Sequence, residues 1–258
     1  MITEAGIKKN LKRSLNIQVY DVLESTNLTA KSLGGSGDPT DMLIVARRQS
    51  GGRGRLGRSF FSPDGGLYMS LLLHPKLSAA NAVRVTTAAA VAVCRAIESV
   101  SCGICEIKWV NDVYMNSRKV CGILTESKLA ADGSLSYAVL GIGVNLTPPT
   151  DGFPEEIKDR AGAVFDYLPD GADDRLAAEI VNEFYAVYDG GLTDSAYLDD
   201  YRRRSFLIGK RIDVMRVHDG EARSATAIAV DDECSLVVRY DDGTSEALSS
   251  GDVSVRGV

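Results

Sequence analysis

The stretch with the clearest capacity for chemistry is GGRGRLGR, residues 51–58, which combines four glycines with three arginines. Glycine lets a backbone approach a ligand closely, and guanidinium is a planar fork of donors that suits phosphate and carboxylate oxygens. Gly52, Gly54 and Gly57 form a literal G-x-G-x-x-G, but a dinucleotide-binding loop must lead into a helix. The proline and paired glycines of residues 59–66 exclude a helix there. We therefore predict a mobile loop that folds over an anionic ligand.

Three further segments contain polar or small residues that could join this loop in one site. KWVND, residues 108–112, places a lysine on a strand and a carboxylate at its C-terminal end, where ligands bind in α/β sheets. RKVCGIL, residues 118–124, places a second lysine at the start of a hairpin strand. GIGVNL, residues 141–146, has two glycines on one strand face, as expected where a ligand lies flat against the backbone. Taken alone, residues 51–58 could equally be a solvated basic loop.

The composition argues against several classes of protein. The chain has 258 residues and a net charge of -6, so it can bury a large core but lacks the basic balance of a general nucleic-acid binder. It contains no apolar run long enough to be a signal sequence or a membrane span. Five cysteines without a secretion signal indicate reduced thiols and a cytoplasmic protein. The C-x-x-C at residues 102–105 is interpreted as a helix-to-strand loop.

Hydrophobic periodicity predicts a large domain that mixes strands and helices. Strands are predicted at 17–23, 42–49, 66–73, 106–110, 120–127 and 136–146, the last two forming a hairpin. Helices are predicted at 81–99, 175–191 and 194–205, and Ser25 or Thr26 is expected to cap a short helix that ends at Gly34 and Gly35. The hairpin favours a mixed sheet, flanked by helices, in an α/β (α+β) domain.

After Gly209 the sequence pattern changes from mixed helices and strands to short strands alone. Five short strands are predicted at 210–217, 222–230, 235–240, 245–249 and 252–256, which is typical of a small SH3-like or OB-like barrel. We place the domain boundary so that residues 1–206 form the large domain and 207–258 the barrel. With one tyrosine and no other aromatic residue past 206, the barrel lacks a stacking platform for single-stranded nucleic acid.

Taken in order, these motifs resemble those of the biotin protein ligases, or biotin-[acetyl-CoA-carboxylase] ligases. The matching pieces are Ser25-Thr26-Asn27, Gln49 with GGRGRLGR, KWVND, RKVCGIL, GIGVNL and the five-strand tail. The resemblance implies an enzyme that joins biotin to ATP as biotinyl-5'-AMP. The biotin then passes to a lysine of an apo biotin carboxyl carrier protein. No nucleic acid and no membrane is implied as a partner.

The resemblance also implies roles for individual residues. It makes Arg53, Arg55 and Lys119 the catalytic cations. The implied biotin-binding residues are Ser25, Thr26, Asn27, Gln49, Arg53, Gly54, Arg55, Lys119, Gly141 and Gly143. The implied nucleotide-binding residues are Arg53, Arg55, Arg58, Phe60, Lys108, Asn111, Lys119 and Asn145. Asp112 is the expected Mg²⁺ ligand, because one carboxylate with waters is typical for that ion.

Two residues depart from the family pattern. Val110 stands where proline is most common, and Phe60 stands where tryptophan is common; we expect function to survive both changes. Only 16 residues precede the first strand, too few for the helix-turn-helix of many relatives, so we expect no regulation through DNA binding. A lipoate-type ligase and an inactive interaction module are the alternatives. A homodimer could use a sheet edge supplied by residues 136–146.

Overall fold

The computed structural model describes residues 1–74, 82–131, 133–192, 195–216 and 222–249, together with the backbone of 253–257. A seven-stranded sheet comprises β1 (Asn16–Leu23), β2 (Met42–Gln49), β3 (Gly66–Leu73), β4 (Cys105–Lys108), β5 (Asp112–Met115), β6 (Arg118–Leu129) and β7 (Leu135–Asn145). Its order is β1-β2-β3-β7-β6-β5-β4. Only the β1–β2 pair within these seven described strands is parallel, so the sheet is mixed, as the hairpin predicted.

The helices are α1 (Glu4–Asn10), α2 (Thr26–Gly34), α3 (Ala82–Val100), α4 (Ala172–Tyr188) and α5 (Ser195–Arg204). The small residues of α3 are buried, which lets this helix pack closely between the sheet and α4. The short helix α1 was not predicted; Thr3 caps it by accepting a hydrogen bond from Gly6 N. Helix α4 begins after Gly171, earlier than predicted, so Asp173 and Asp174 lie in its first turn and do not cap it.

The sheet order corrects two predictions. Residues 136–146 cannot supply a sheet edge, because β7 is paired with β3 on one side and with β6 on the other. The predicted strand 106–110 ends at Lys108, and Asp112 opens the unpredicted β5 rather than closing a strand. The alternation of buried and exposed residues breaks there: Trp109 and Val110 are both buried, which marks a turn facing the core.

The C-terminal part forms a second, five-stranded sheet, and all five predicted strands are present. They are β8 (Arg211–Arg216), β9 (Ala222–Val230), β10 (Leu236–Tyr240), β11 (Ser245–Leu248) and β12 (Val253–Gly257). The order is β11-β10-β9-β8-β12, with antiparallel neighbours. One continuous apolar cluster contains side chains from both sheets. Within the described residues, no helix is both long enough and apolar enough to span a membrane.

An ion-pair network joins α3, α5 and the start of β4. Arg204 donates to Asp200 Oδ1 at 2.9 Å and to both carboxylate oxygens of Glu98, and Arg95 Nε donates to Asp200 Oδ2 at 2.9 Å. The Asp200 side chain is only 6% exposed. Burial tends to raise the pKa of Asp200, but the hydrogen bond from Arg203 and the charge of Arg204 prevail and lower it.

We expect Asp200→Asn to lower the free energy of unfolding by about 2 kcal/mol at pH 7, because it leaves buried arginine donors poorly paired. A carboxylate whose folded-state pKa is depressed adds stability above its unfolded pKa, and this contribution disappears as pH falls through the folded pKa. Urea denaturation should therefore show the gap between wild type and variant closing in acid. Asp199→Asn, at a neighbouring carboxylate with 64% exposure, is the control and should cost little. Equal losses for both variants would contradict the prediction.

Candidate active site

A cavity of about 450 Å³ brings together every residue that the sequence assigned to the site. All sixteen line it: Ser25, Thr26, Asn27, Gln49, Arg53, Gly54, Arg55, Arg58, Phe60, Lys108, Asn111, Asp112, Lys119, Gly141, Gly143 and Asn145. They come from the start of α2, the end of β2, the glycine-arginine loop and the residues just after it, β4 and β5 with the turn between them, β6 and β7. The motifs are therefore neighbours in space although they are distant in the chain.

One end of the cavity is a buried network of hydroxyl and amide groups. Gln49 Oε1 accepts from Thr26 N at 2.8 Å, and Gln49 Nε2 donates to Ser62 Oγ at 3.0 Å. Ser70 Oγ lies 2.8 Å from Thr26 Oγ1 and 2.7 Å from Asn27 Oδ1. The start of α2 and the neighbouring strands β2 and β3 thus fix these polar atoms relative to one another.

Asn27 is held from its other side as well. Its Nδ2 donates to Glu126 Oε2 at 2.9 Å, and Glu126 also pairs with Lys31. Burial tends to raise the pKa of Glu126, but hydrogen bonds from Lys31 and Asn27 outweigh it and lower that pKa. Glu126 is therefore ionised near neutral pH and orients the Asn27 amide.

The glycines of β6 and β7 are needed for close contact. A Cβ on Gly141 would lie 2.1 Å from Asn27 Oδ1, and one on Gly143 would lie 2.6 Å from Phe60 Cε1. Gly122, the register partner of Gly143, was not singled out from the sequence, yet a Cβ there would lie 2.9 Å from Phe60 Cε2. The Phe60 ring thus rests on a cross-strand pair of glycines, where the sequence had predicted a ligand.

The other end of the cavity is cationic. Lys119 Nζ lies 2.7 Å from Asp112 Oδ1, and Arg55 Nη1 donates to Asn111 Oδ1 at 3.2 Å. Asn111 Nδ2 in turn donates to Ile123 O at 2.7 Å. Burial lowers the pKa of Arg55, an effect that the charge of Asp112 opposes, and a guanidinium remains protonated near neutral pH. Arg53 and Arg58 are more exposed.

The glycine-arginine loop doubles back on itself. Gly54 N donates to Arg58 O at 2.7 Å, and Phe60 N donates to Gly52 O at 2.9 Å. A short 3-10 turn at Arg55–Gly57 forms its tip, and no α-helix follows, as the sequence predicted. This conformation turns Arg55 towards Asn111 and brings Phe60 over the sheet.

The charge of the lining suits an anionic ligand. Among the described residues around the cavity, six are basic and only Asp112 is acidic; the basic ones are Arg53, Arg55, Arg58, Lys108, Lys119 and Arg160. Sequence reasoning missed Arg160, which lies in the segment after β7 that was predicted only as irregular. Its carbonyl accepts a hydrogen bond from Lys119 N at 2.7 Å. Opposed cations of this kind can hold phosphate and carboxylate oxygens together.

Ser70 was also missed, and it offers a test of the polar end. Replacing it with alanine removes a fully buried hydroxyl without adding volume, so Thr26 and Asn27 lose a shared partner. We expect Ser70→Ala to raise the KM for the ligand bound at this end about tenfold, since a lost buried hydrogen bond costs roughly 1–2 kcal/mol.

The measurement is steady-state kinetics with each substrate varied in turn. Ser224→Ala is the control, because its hydroxyl donates to Asp213 in the C-terminal sheet, away from the cavity, and it should leave both KM values unchanged. An equal rise in the KM of both substrates would contradict the assignment of Ser70 to one end of the cavity.

Family models match both parts of this architecture, the large part with the mixed sheet and the small C-terminal part. Residues 19–145 match the model of the "Biotin/lipoate A/B protein ligase family", and residues 207–256 match that of the "Biotin protein ligase C terminal domain". Both parts of the chain therefore match domains of the biotin protein ligase family.

Individual relatives agree with this assignment. The "Bifunctional ligase/repressor BirA" of Bacillus spizizenii is 39% identical over 164 residues, which cover 62% of this chain and 50% of the relative. The "Biotin--[acetyl-CoA-carboxylase] ligase" of Mycobacterium tuberculosis is 27% identical over 255 residues, covering 93% of this chain and 88% of the relative. The match therefore spans about half the length of the Bacillus relative but most of the mycobacterial one.

A solved structure shares the fold. The biotin protein ligase from Aquifex aeolicus in complex with biotin and ATP superimposes with a TM-score of 0.74 at 24% identity. The superposition covers 94% of this chain and 99% of the other. It therefore spans both the seven-stranded sheet and the C-terminal sheet.

Proposed function

We propose that the chain is an ATP-dependent ligase that activates biotin as biotinyl-5'-AMP and transfers it to a lysine of a biotin carboxyl carrier protein. The observation that carries the proposal is the cavity. A buried hydroxyl and amide network at one end meets lysine and arginine side chains at the other. Its volume of about 450 Å³ is within the range of small-molecule sites. The names of the relatives support the same reaction.

The polar end is suited to the ureido group of biotin, which has two N–H donors and one carbonyl acceptor. In this proposal Ser25, Thr26, Asn27 and Gln49 bind that group, with Ser70 behind them. Gly54, Gly141 and Gly143 allow the backbone to approach the rings. Because Asn27 and Phe60 lie against the two strand glycines, the rings must pack beside these side chains or displace them.

The cationic end is suited to the chemical step. A carboxylate oxygen of biotin attacks the α-phosphorus of ATP, a new oxygen–phosphorus bond forms, and pyrophosphate leaves. Both reactants are anionic, so preorganised cations that bind the developing charge lower the barrier. We assign that role to Lys119, Arg53 and Arg55. In the second step the acceptor lysine amine attacks the activated carbonyl, and AMP leaves.

The remaining cavity residues are assigned to the nucleotide. Arg58, Lys108, Asn111 and Asn145 supply polar contacts, and Phe60 supplies an aromatic face for adenine. Asp112 would hold Mg²⁺, which fits because this ion is usually bound through one or two carboxylates together with substrate phosphates. Bound Mg²⁺ would neutralise part of the phosphate charge.

Further features complete the proposal. The C-terminal sheet is assigned to an SH3-like barrel, with the boundary between residues 206 and 207. All five cysteines are free thiols, which supports a cytoplasmic location. The acceptor is the apo carrier protein. A homodimer that extended the seven-stranded sheet would have to pair through β1 or β4, the strands at the two ends of its described order.

Mass spectrometry of the purified protein incubated with biotin, ATP and Mg²⁺ tests the proposal. Biotinyl-5'-AMP should form, and a parallel incubation with lipoate should give no adduct. An adduct with lipoate alone would favour the lipoate-type activity. No adduct with either acid would overturn the proposed activity and favour an interaction module.

A further inference from the structure

The β4–β5 turn, which carries Asn111 into the cavity, is held by two buried hydrogen bonds to residues outside the seven-stranded sheet. Trp109 is only 4% exposed, and its Nε1 donates to Cys234 O at 3.0 Å. Tyr201 is fully buried in α5, and its hydroxyl donates to Val110 O at 3.1 Å. The first contact reaches the C-terminal sheet, and the second reaches the last helix before it.

The acceptor in the C-terminal sheet is itself fixed in place. Cys234 lies in the turn between β9 and β10 with a positive φ of 64° and a buried side chain, whose Sγ is 3.5 Å from Thr87 Oγ1. Asp231 braces the turn by accepting hydrogen bonds from Glu233 N at 3.0 Å and Ser235 N at 2.8 Å. The Cys234 carbonyl is therefore presented to Trp109 at a defined position.

The front of the β4–β5 turn makes the contacts on the nucleotide side of the cavity. Ile123 N donates to Asn111 O at 2.9 Å, and Arg55 donates to the Asn111 side chain. The next residue, Asp112, pairs with Lys119. A displacement of the turn would thus move Asn111 and Asp112 together and loosen Arg55 and Lys119. Misplacement by even 1 Å can cost a large factor in rate.

The hydrogen bonds described above for the biotin end do not reach α5 or the C-terminal sheet. Those of Thr26, Gln49 and Ser70 join α2, β2, β3 and the segment before β3 that contains Ser62. The two ends of the cavity are therefore supported by different parts of the fold. Because of this separation, the contribution of the C-terminal turn to the nucleotide side can be measured by comparing the KM for ATP with the KM for biotin.

We propose that Trp109 and Tyr201 are positioning residues. Through these two side chains, the 231–235 turn of the C-terminal domain and helix α5 hold the nucleotide side of the site in place. The inference rests on the proposed function, because it assigns that side to ATP. Neither side chain is required to touch the reacting atoms; each acts through the backbone of the β4–β5 turn.

The test uses Trp109→Phe and Tyr201→Phe in the full chain, since each removes one donor and keeps an aromatic ring. Both should raise the KM for ATP about tenfold, whereas the KM for biotin should change less than twofold. Pyrophosphate release measures both constants. Calorimetric titration with ATP and Mg²⁺ in the absence of biotin should show the same weakening of ATP binding.

Arg223→Gln is the matched control. Arg223 forms an ion pair within the C-terminal sheet, donating to Asp242 Oδ2 at 2.6 Å, and its contacts described here include neither the 231–235 turn nor the β4–β5 turn. It should leave the KM for ATP unchanged.

Three outcomes are distinguishable. An equal rise in the KM for ATP in Arg223→Gln, or an equal rise in the KM for biotin in the two phenylalanine variants, would overturn the positioning role. If the wild type forms no adenylate, the proposed function fails, and the ATP titrations still decide the inference. If the wild type neither forms the adenylate nor binds ATP, both are overturned.

Discussion

Lys119→Ala is expected to slow the formation of biotinyl-5'-AMP about 500-fold while leaving the fold intact. Removing one preorganised donor that stabilises developing charge typically costs a factor of 10² to 10³. Lys119 Nζ lies 2.7 Å from Asp112 Oδ1, and its side chain is 30% exposed at the cavity wall. Lys119 should interact more strongly with the transition state than with the bound substrates, so its loss should lower kcat more than it raises KM.

Pyrophosphate release at saturating biotin and ATP measures this effect. Lys128→Ala is the matched control, because Lys128 lies on the same strand, β6, but is exposed. It should retain activity. A loss of less than tenfold in Lys119→Ala, or a comparable loss in Lys128→Ala, would show that Lys119 is not the main charge stabiliser.

The site could be assembled from the sequence because its residues lie in short motifs with strong local signals. The glycine-arginine loop lies between two clear strand patterns, and KWVND lies at the end of a third. Local patterns of this kind fix the type of each element, and the family resemblance supplied the grouping of the motifs. All sixteen assigned residues consequently line one cavity.

The residues that were missed depend on contacts between distant segments. Ser70 appears in the sequence as a single polar residue in an apolar strand, and only the packing of α2 on β3 makes it a partner of Asn27. Gly122 becomes significant only because the register of β6 and β7 places it opposite Gly143. Periodicity reports which face a residue occupies but not what lies across from it.

Sheet order is non-local for the same reason. The hairpin of β6 and β7 was predicted, but the pairing of β7 with β3 was not, and this second pairing places β7 inside the sheet. Trp109 illustrates the same limit. Trp109 is buried, but the partner of its indole N–H lies in the C-terminal sheet, far away in the chain.

The sequence assigns Arg53 and Arg55 the same roles, but the two side chains have different surroundings in the structure. Arg53 is exposed, whereas Arg55 is partly buried and donates to Asn111. Burial removes water from the Arg55 guanidinium and thereby lowers its pKa. A desolvated cation held by a neutral amide interacts more strongly with an anion than a solvated one does. We therefore expect Arg55 to contribute more to the rate than Arg53.

Arg55→Ala should lower kcat/KM for adenylate formation about 100-fold, and Arg55→Lys should recover little of it. Lysine keeps the charge but loses the planar fork that can contact Asn111 and an anionic oxygen together. Arg48→Ala, at a side chain on β2 that is 51% exposed, is the control and should behave like wild type. Single-turnover kinetics separate the chemical step from ligand binding. Full activity in Arg55→Lys would mean that the charge alone matters, and the fixed geometry between Arg55 and Asn111 would then have no catalytic role.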